Sequence, residues 1–204
     1  MVNRLFLDFD GTLIDVSRRL YILFNELASD SSFTYGEYWR IKRRRITQAE
    51  MLRFYFNYDE QRILKFKSQW MAEIENQERL KLDTPFLGVS SFLEKRSELQ
   101  EIYLITARQH KLYVEKQLEQ FGWRDLFKNI FVTEQIETKA SIIRANFCLH
   151  DSDILIGDTG EDVIAAKTLG IRAFAVSSGF LDADILEEYA PEKILSSVTH
   201  LSNF

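Results

Sequence analysis

Leu5-Phe6-Leu7-Asp8-Phe9-Asp10-Gly11-Thr12-Leu13-Ile14-Asp15 sets two carboxylates, two residues apart, at the end of an apolar strand-like run and directly before a glycine. A strand sends alternate side chains to the same side, so an extended backbone through Phe9 points Asp8 and Asp10 one way and Phe9 the other. Two like charges then share a small volume, which costs free energy unless a shared proton or a hard divalent cation offsets it. The same residues also read as a solvated Asp-x-Asp-Gly turn, because Asp and Gly are ordinary turn formers.

Outward from this run, short stretches rich in Ile, Leu, Val and Phe recur at 4–7, 102–105, 130–132, 154–156 and 172–176. Helical candidates lie between them at 89–98, 111–121, 140–147 and 162–169. Such alternation predicts an α/β fold, a parallel sheet with helices on both faces, whose strand carboxyl ends form the ligand-binding edge.

One segment breaks the alternation. Between Gly11 and Gly88 the only glycine is Gly36, and residues 16–82 contain no proline, so the residues that most often punctuate turns are nearly missing there. Leu20, Tyr21, Phe24, Leu27 and Ala28 follow helical spacing, as do Ile63, Phe66, Trp70 and Ile74. The chain thus divides into a core of residues 1–15 and 83–204 and an all-helical insertion of roughly four helices at 16–82. The insertion is basic, with 13 Lys/Arg against 9 Asp/Glu, although the whole chain of 204 residues has a formal charge of −5. That overall charge argues against a nucleic-acid polymer as partner. Cys148 is the only cysteine, so no intrachain disulfide is expected, and it reads as a small buried hydrophobe. No apolar stretch is long enough for a bilayer span and no signal-like start is seen, so the expectation is a cytoplasmic protein without a membrane partner. The sequence leaves the oligomeric state open, and leaves open whether 195–204 adds an edge strand or only packs on the core.

Polar residues gather at four strand ends. Asp8 and Asp10 follow the first strand, and Thr106 follows a buried run in Leu104-Ile105-Thr106-Ala107-Arg108. Lys139 stands where a helix begins; cations are disfavoured there, so an anion is expected in the same place. Asp158 and Asp162 occur in Ile156-Gly157-Asp158-Thr159-Gly160-Glu161-Asp162, after another strand and at another helix start. Each has an ordinary reading as well: Thr106 as the cap of the next helix, Lys139 as a solvated lysine, Asp162 as an acid stabilising a helix N-terminus and Asp158 as the cap of that helix. Together they supply carboxylates, a hydroxyl and an ammonium on one predicted edge.

These motifs resemble, over nearly the whole chain and in the required order, those of the haloacid dehalogenase-like (HAD) superfamily. Asp8-Phe9-Asp10-Gly11-Thr12-Leu13 and Gly157-Asp158 through Gly170 carry the likeness most specifically. The resemblance implies a Rossmann-like core with a helical cap inserted after the first motif. It also implies Mg2+ held by the carboxylates of Asp8 and Asp158 and the backbone carbonyl of Asp10. Asp8 would be the nucleophile, Asp10 the acid and base, Thr106 and Lys139 the phosphate-binding groups, and Asp162 an orienting group for Lys139 or a metal-bound water. Arg108 reads either as a phosphate contact or as a surface salt-bridge partner. Relatives that are true dehalogenases lack an aspartate at the Asp10 position, because a halide needs no proton. Hydrolysis of a small phosphorylated metabolite is therefore favoured: a sugar phosphate, a phosphorylated acid or a nucleotide.

A phosphomutase, a phosphonate hydrolase using Lys42 or Lys65 for an imine, and a silent phosphate-binding protein on the same scaffold are the alternatives. A response-regulator receiver domain shares the residue types but has no helical insertion. The cations Lys42, Arg43, Arg44 and Arg45 suit an anionic ligand but also a solvated face. Tyr35, Tyr38, Trp39 and Tyr58 suit base stacking or core packing, with spacing favouring the core.

Overall fold

The computed structural model describes residues 4–201. The chain divides into two compact units, one formed by the chain up to Asp15 and from Pro85 onward, the other by Val16–Thr84. Two short strands, β2 (Ile14–Asp15) and β3 (Thr84–Pro85), mark where the chain leaves and re-enters the first unit.

The first unit is built on a parallel sheet. Its strands are β1 (Arg4–Leu7), β4 (Glu101–Thr106), β5 (Asn129–Val132), β6 (Ile154–Gly157), β7 (Arg172–Val176) and β8 (Lys193–Leu195). They lie in the order β5-β4-β1-β6-β7-β8. The connecting helices are α6 (Val89–Leu99), α7 (Lys111–Phe121), α8 (Lys139–Asn146), α9 (Gly160–Leu169) and α10 (Ala183–Glu187). From β1 the chain steps outward to β4 and β5, then returns past β1 to β6 and continues the other way. With right-handed crossovers this reversal puts α6 and α7 on one face and α8 to α10 on the other, and it opens a crevice at the carboxyl end of β1.

The inner strands β1, β6 and β7 are buried on both faces, as their continuous apolar runs foretell, while the edge strands β5 and β8 are partly exposed. Phe6, Ile105, Leu155, Ala173 and Ala175 pack with Ile143 of α8, Val163 of α9 and Ile185 of α10. Their strand neighbours Leu5, Leu7, Leu104 and Ile156 are also fully buried, on the opposite face. The edge strand β8, parallel to β7, ends at Leu195, so of 195–204 only its first residue joins the sheet and the chain goes on to a 3-10 turn at Val198–His200; 202–204 lie outside the described residues.

The second unit holds α1 (Ser17–Leu27), α2 (Tyr35–Arg43), α3 (Gln48–Phe56), α4 (Glu60–Glu73) and a short fifth helix, α5 (Gln77–Leu80). Thr34 with Glu37 and Thr47 with Glu50 form capping boxes that start α2 and α3. Phe24 is the centre of its core, with ring centroids 5.1 Å from Tyr38 and 5.6 Å from Phe66. Buried Arg19 donates to Asp83 Oδ1 at 2.7 Å and to the Ile74 carbonyl at 2.7 Å, tying the first helix to the last residues of the unit. Tyr38 and Tyr58 are core residues, whereas Tyr35 is exposed and bonds Ser17 Oγ through its hydroxyl at 2.7 Å. The four-cation run does not wind along one helix: α2 ends at Arg43, and Arg45 is left-handed with φ 64°. Three of its basic residues thus sit around a helix C-terminus, where the backbone dipole favours them.

Cys148 corrects the sequence reading: it is exposed. It lies between α8 and β6, where backbone polar groups need solvent, and its carbonyl accepts from the Arg4 guanidinium. Among the described residues, no helix is long and apolar enough to cross a membrane.

Candidate active site

Asp8 follows β1 directly, and its N–H donates to the Ile156 carbonyl at 2.9 Å, extending the ladder by one residue. The chain then turns tightly, with Leu13 N–H to Phe9 O at 2.9 Å and Gly11 N–H to Ile14 O at 2.8 Å. The Asp-x-Asp-Gly turn is therefore real but not solvated, since Asp8, Phe9, Gly11 and Thr12 are all buried. Thr12, in the motif but given no role from sequence, donates its hydroxyl to Asp8 Oδ2 at 3.5 Å.

Lys139 joins two of the predicted groups. It opens α8, behind the capping box of Thr138 and Ser141, and its side chain is only 10% exposed. Its ammonium donates to Asp8 Oδ1 at 2.6 Å and to Asp162 Oδ1 at 2.5 Å. Two carboxylates thus supply the anion that a lysine at a helix start calls for, and the solvated reading falls. Asp162 also caps α9, because its Oδ2 accepts from the Thr159 N–H and hydroxyl at 3.2 and 2.7 Å. The helix-terminus reading of Asp162 is thus correct too, while Asp158 is not the cap, because Thr159 takes that position.

Asp158 is fully buried just beyond β6. Its Oδ2 accepts from the Phe180 N–H at 2.6 Å, whereas its Oδ1 is buried without a hydrogen-bond partner among the described residues. Gly11 and Gly179 make room for it: a Cβ built on either would fall 2.1 or 1.9 Å from Asp158 Oδ2. Sequence reasoning missed the segment 178–180. Its signal is the one used elsewhere, an apolar strand ending in polar and glycine residues, here Ser177-Ser178-Gly179 after β7.

Thr106 is the last residue of β4 and 1% exposed. It does not cap α7, whose N-terminal flank is His110. Asp10 is close enough for its charge to push up the Asp8 carboxyl. Its carboxylate is gripped by Arg108, with Nε to Oδ2 at 2.5 Å and Nη2 to Oδ1 at 2.6 Å. Arg108 is 3% exposed, so it is no surface salt-bridge partner. Asp8, Asp158 and Asp162 are crowded as well, with ligand atoms that all lie within 4.8 Å of one another.

The electrostatics follow from that crowding. Burial pushes the Asp8 carboxyl from its usual 3.8 up to about 7; the Lys139 ammonium pulls it down, and Asp162 and Asp10 push it further up. Burial likewise holds Asp158 well above the usual carboxylate range, aided by Asp8 and Asp162 and opposed by the Phe180 N–H. For Lys139 burial works against the ammonium, but the charges and hydrogen bonds of Asp162 and Asp8 outweigh it and raise the group. Three buried carboxylates against one ammonium leave the site short of positive charge. The orphaned Asp158 Oδ1 and the Asp8 carboxylate beside it are hard oxygen donors suited to a divalent cation. Asp162 accepts three hydrogen bonds, one from Lys139 and two from Thr159, and is the least available of the three.

Fold and site together define a doubly wound α/β protein with an aspartate and lysine centre at the carboxyl edge of its sheet. Residues 5–176 match the haloacid dehalogenase-like hydrolase family, and the chain belongs to it. A candidate phosphatase from Clostridium difficile is 18% identical, with a TM-score of 0.79 over 97% of this chain and 95% of that one. A haloacid dehalogenase-like family hydrolase from Streptococcus pneumoniae is 20% identical, with a TM-score of 0.71 over 96% and 94%. A candidate HAD-hydrolase from Bacillus subtilis, solved bound to magnesium, is 15% identical with a TM-score of 0.65 over 97% and 95%. At these identities the likeness is one of fold. No curated protein matches the chain by sequence.

Proposed function

We propose that this hydrolase is a Mg2+-dependent phosphatase that cleaves a small phosphomonoester through an aspartyl-phosphate on Asp8. The observation that carries the reading is the Lys139 bridge between Asp8 and Asp162, beside the unpartnered Asp158 Oδ1. It holds a reactive carboxylate next to a fixed ammonium in a volume that is still short of positive charge.

Asp8 attacks phosphorus, an O–P bond forms, and the ester P–O bond breaks. Asp10 protonates the departing oxygen; it then accepts a proton from the water that attacks phosphorus, releasing phosphate and restoring the Asp8 carboxylate. Lys139 and the Thr106 hydroxyl hold the phosphoryl oxygens, and Asp162 keeps the ammonium aimed. Asp8, Asp158 and the Asp10 carbonyl would hold Mg2+, which lowers the repulsion between anionic nucleophile and anionic ester. The helical unit is the cap in this reading and chooses the ester, with a sugar phosphate, a phosphorylated acid or a nucleotide as the substrate classes.

A phosphate-release screen over metabolite phosphomonoesters with Mg2+ tests the proposal. Turnover is expected for at least one, suppressed by EDTA and absent in a folded Asp8→Asn variant. Turnover retained by that variant would reject Asp8 as nucleophile.

A further inference from the structure

We infer that Arg108, itself oriented by Gln117, is the positioning residue for the Asp10 carboxylate; this rests on the phosphatase reading. Arg108 offers Nε and Nη2 as a two-pronged edge to both Asp10 oxygens, while its Nη1 donates to Gln117 Oε1 at 3.1 Å. Such a fork fixes a carboxylate in plane and direction, which a lysine ammonium does not.

The fork is itself held still. The Thr106 and Arg108 carbonyls accept from the Thr133 and Glu134 N–H groups at 2.9 and 3.1 Å, and the Ala107 carbonyl accepts from Gln135 Nε2 at 2.8 Å. Gln117 is 4% exposed and lies on the buried face of α7 with Val114 and Leu118. A polar side chain on an apolar stripe needs a buried partner, and Arg108 is one. The guanidinium carbon also lies 5.5 Å from the centre of the Phe9 ring.

One donor edge of Arg108 is spent on Asp10 and its Nη1 donates to Gln117, so the geometry on the page gives the guanidinium the task of holding Asp10. Asp10 is the residue that needs help, because its side chain is 22% exposed against 3% for Arg108. The fork reaches both oxygens of the carboxylate that serves both halves of the reaction. Arg108 therefore keeps that carboxylate in one plane and direction through both halves of the reaction. A displacement of the order of 1 Å in such a group costs about 100-fold in rate.

Wild-type, Arg108→Ala, Arg108→Lys and Gln117→Leu proteins are assayed with Mg2+ on 4-nitrophenyl phosphate, with near-UV circular dichroism confirming the fold. Arg108→Ala is expected to lose about 100-fold in kcat with KM within about twofold. Millimolar guanidinium should restore part of kcat without moving KM, and Gln117→Leu should lower kcat by a smaller factor. A raised KM with kcat retained, or no rescue of folded Arg108→Ala, overturns the inference. Where Arg108→Ala does not fold, unchanged kcat in both Arg108→Lys and Gln117→Leu overturns it. Wild-type protein that releases no phosphate from any ester overturns the phosphatase reading instead.

Discussion

Asp8→Asn should abolish turnover and make the metal-free protein more stable. Asp8 is 5% exposed, and its carboxyl titrates near 7 in the fold against 3.8 in an unfolded chain. Each pH unit between these values is worth ~1.36 kcal/mol, so the ionised carboxylate costs on the order of 4 kcal/mol above pH 7. The folded value is raised, so between the two values the native state binds more protons than the unfolded state. Stability therefore falls as pH rises from about 4 through about 7, and below 4 the penalty is gone. Asparagine approximates the protonated form at every pH. In EDTA at pH 8 the variant should melt roughly 8–16 °C above wild type, taking ~2–4 °C per kcal/mol for a chain of this size. The gap should close near pH 4. Paired thermal melts from pH 4 to 8 measure it. A variant equal to or less stable than wild type at pH 8 without metal would show that the carboxylate is not held there at a cost, and the cation-deficit argument would fail.

Mg2+ should raise the melting temperature of wild type, and Asp158→Asn should remove most of that rise by neutralising the carboxylate that holds the unpartnered oxygen. Gly179→Ala brings a Cβ to 1.9 Å from Asp158 Oδ2 and 2.6 Å from the Gly11 Cα. Backbone cannot yield there cheaply, so a loss of about 1–3 kcal/mol and a fall in activity are expected, read by melting and phosphate release. In the helical unit, Arg19→Met removes the guanidinium that donates to the buried Asp83 carboxylate and should cost about 3–5 kcal/mol by denaturant titration. Arg19→Met/Asp83→Leu should recover much of that loss; a double variant no better than the single would show that packing, not charge, dominates.

The strands and helices of the core are legible because burial on both faces writes continuous apolar runs, and β1, β7 and α7 have the boundaries the pattern gives. Asp8 and Asp158 are legible for a related reason, since each directly follows an apolar strand, and Lys139 and Asp162 because each stands in the first turn of a helix that follows such a strand. Arg108 and Gln117 are less so, since an arginine in a loop and a glutamine on a helix have many ordinary uses. The segment after β7 is harder still to read, because its contribution is a backbone N–H and the space left by a glycine, which no residue type announces.

The linear order of residues settles which groups reach the carboxyl edge, because alternation of strand and helix leaves a parallel sheet few ways to close. Folding settles how those groups pair. Asp8 and Asp10 are two residues apart, yet they serve different partners, Lys139 from 131 residues away and Arg108 from 98. Coulomb energy depends on distance and burial in space, and neither is written in the spacing along the chain.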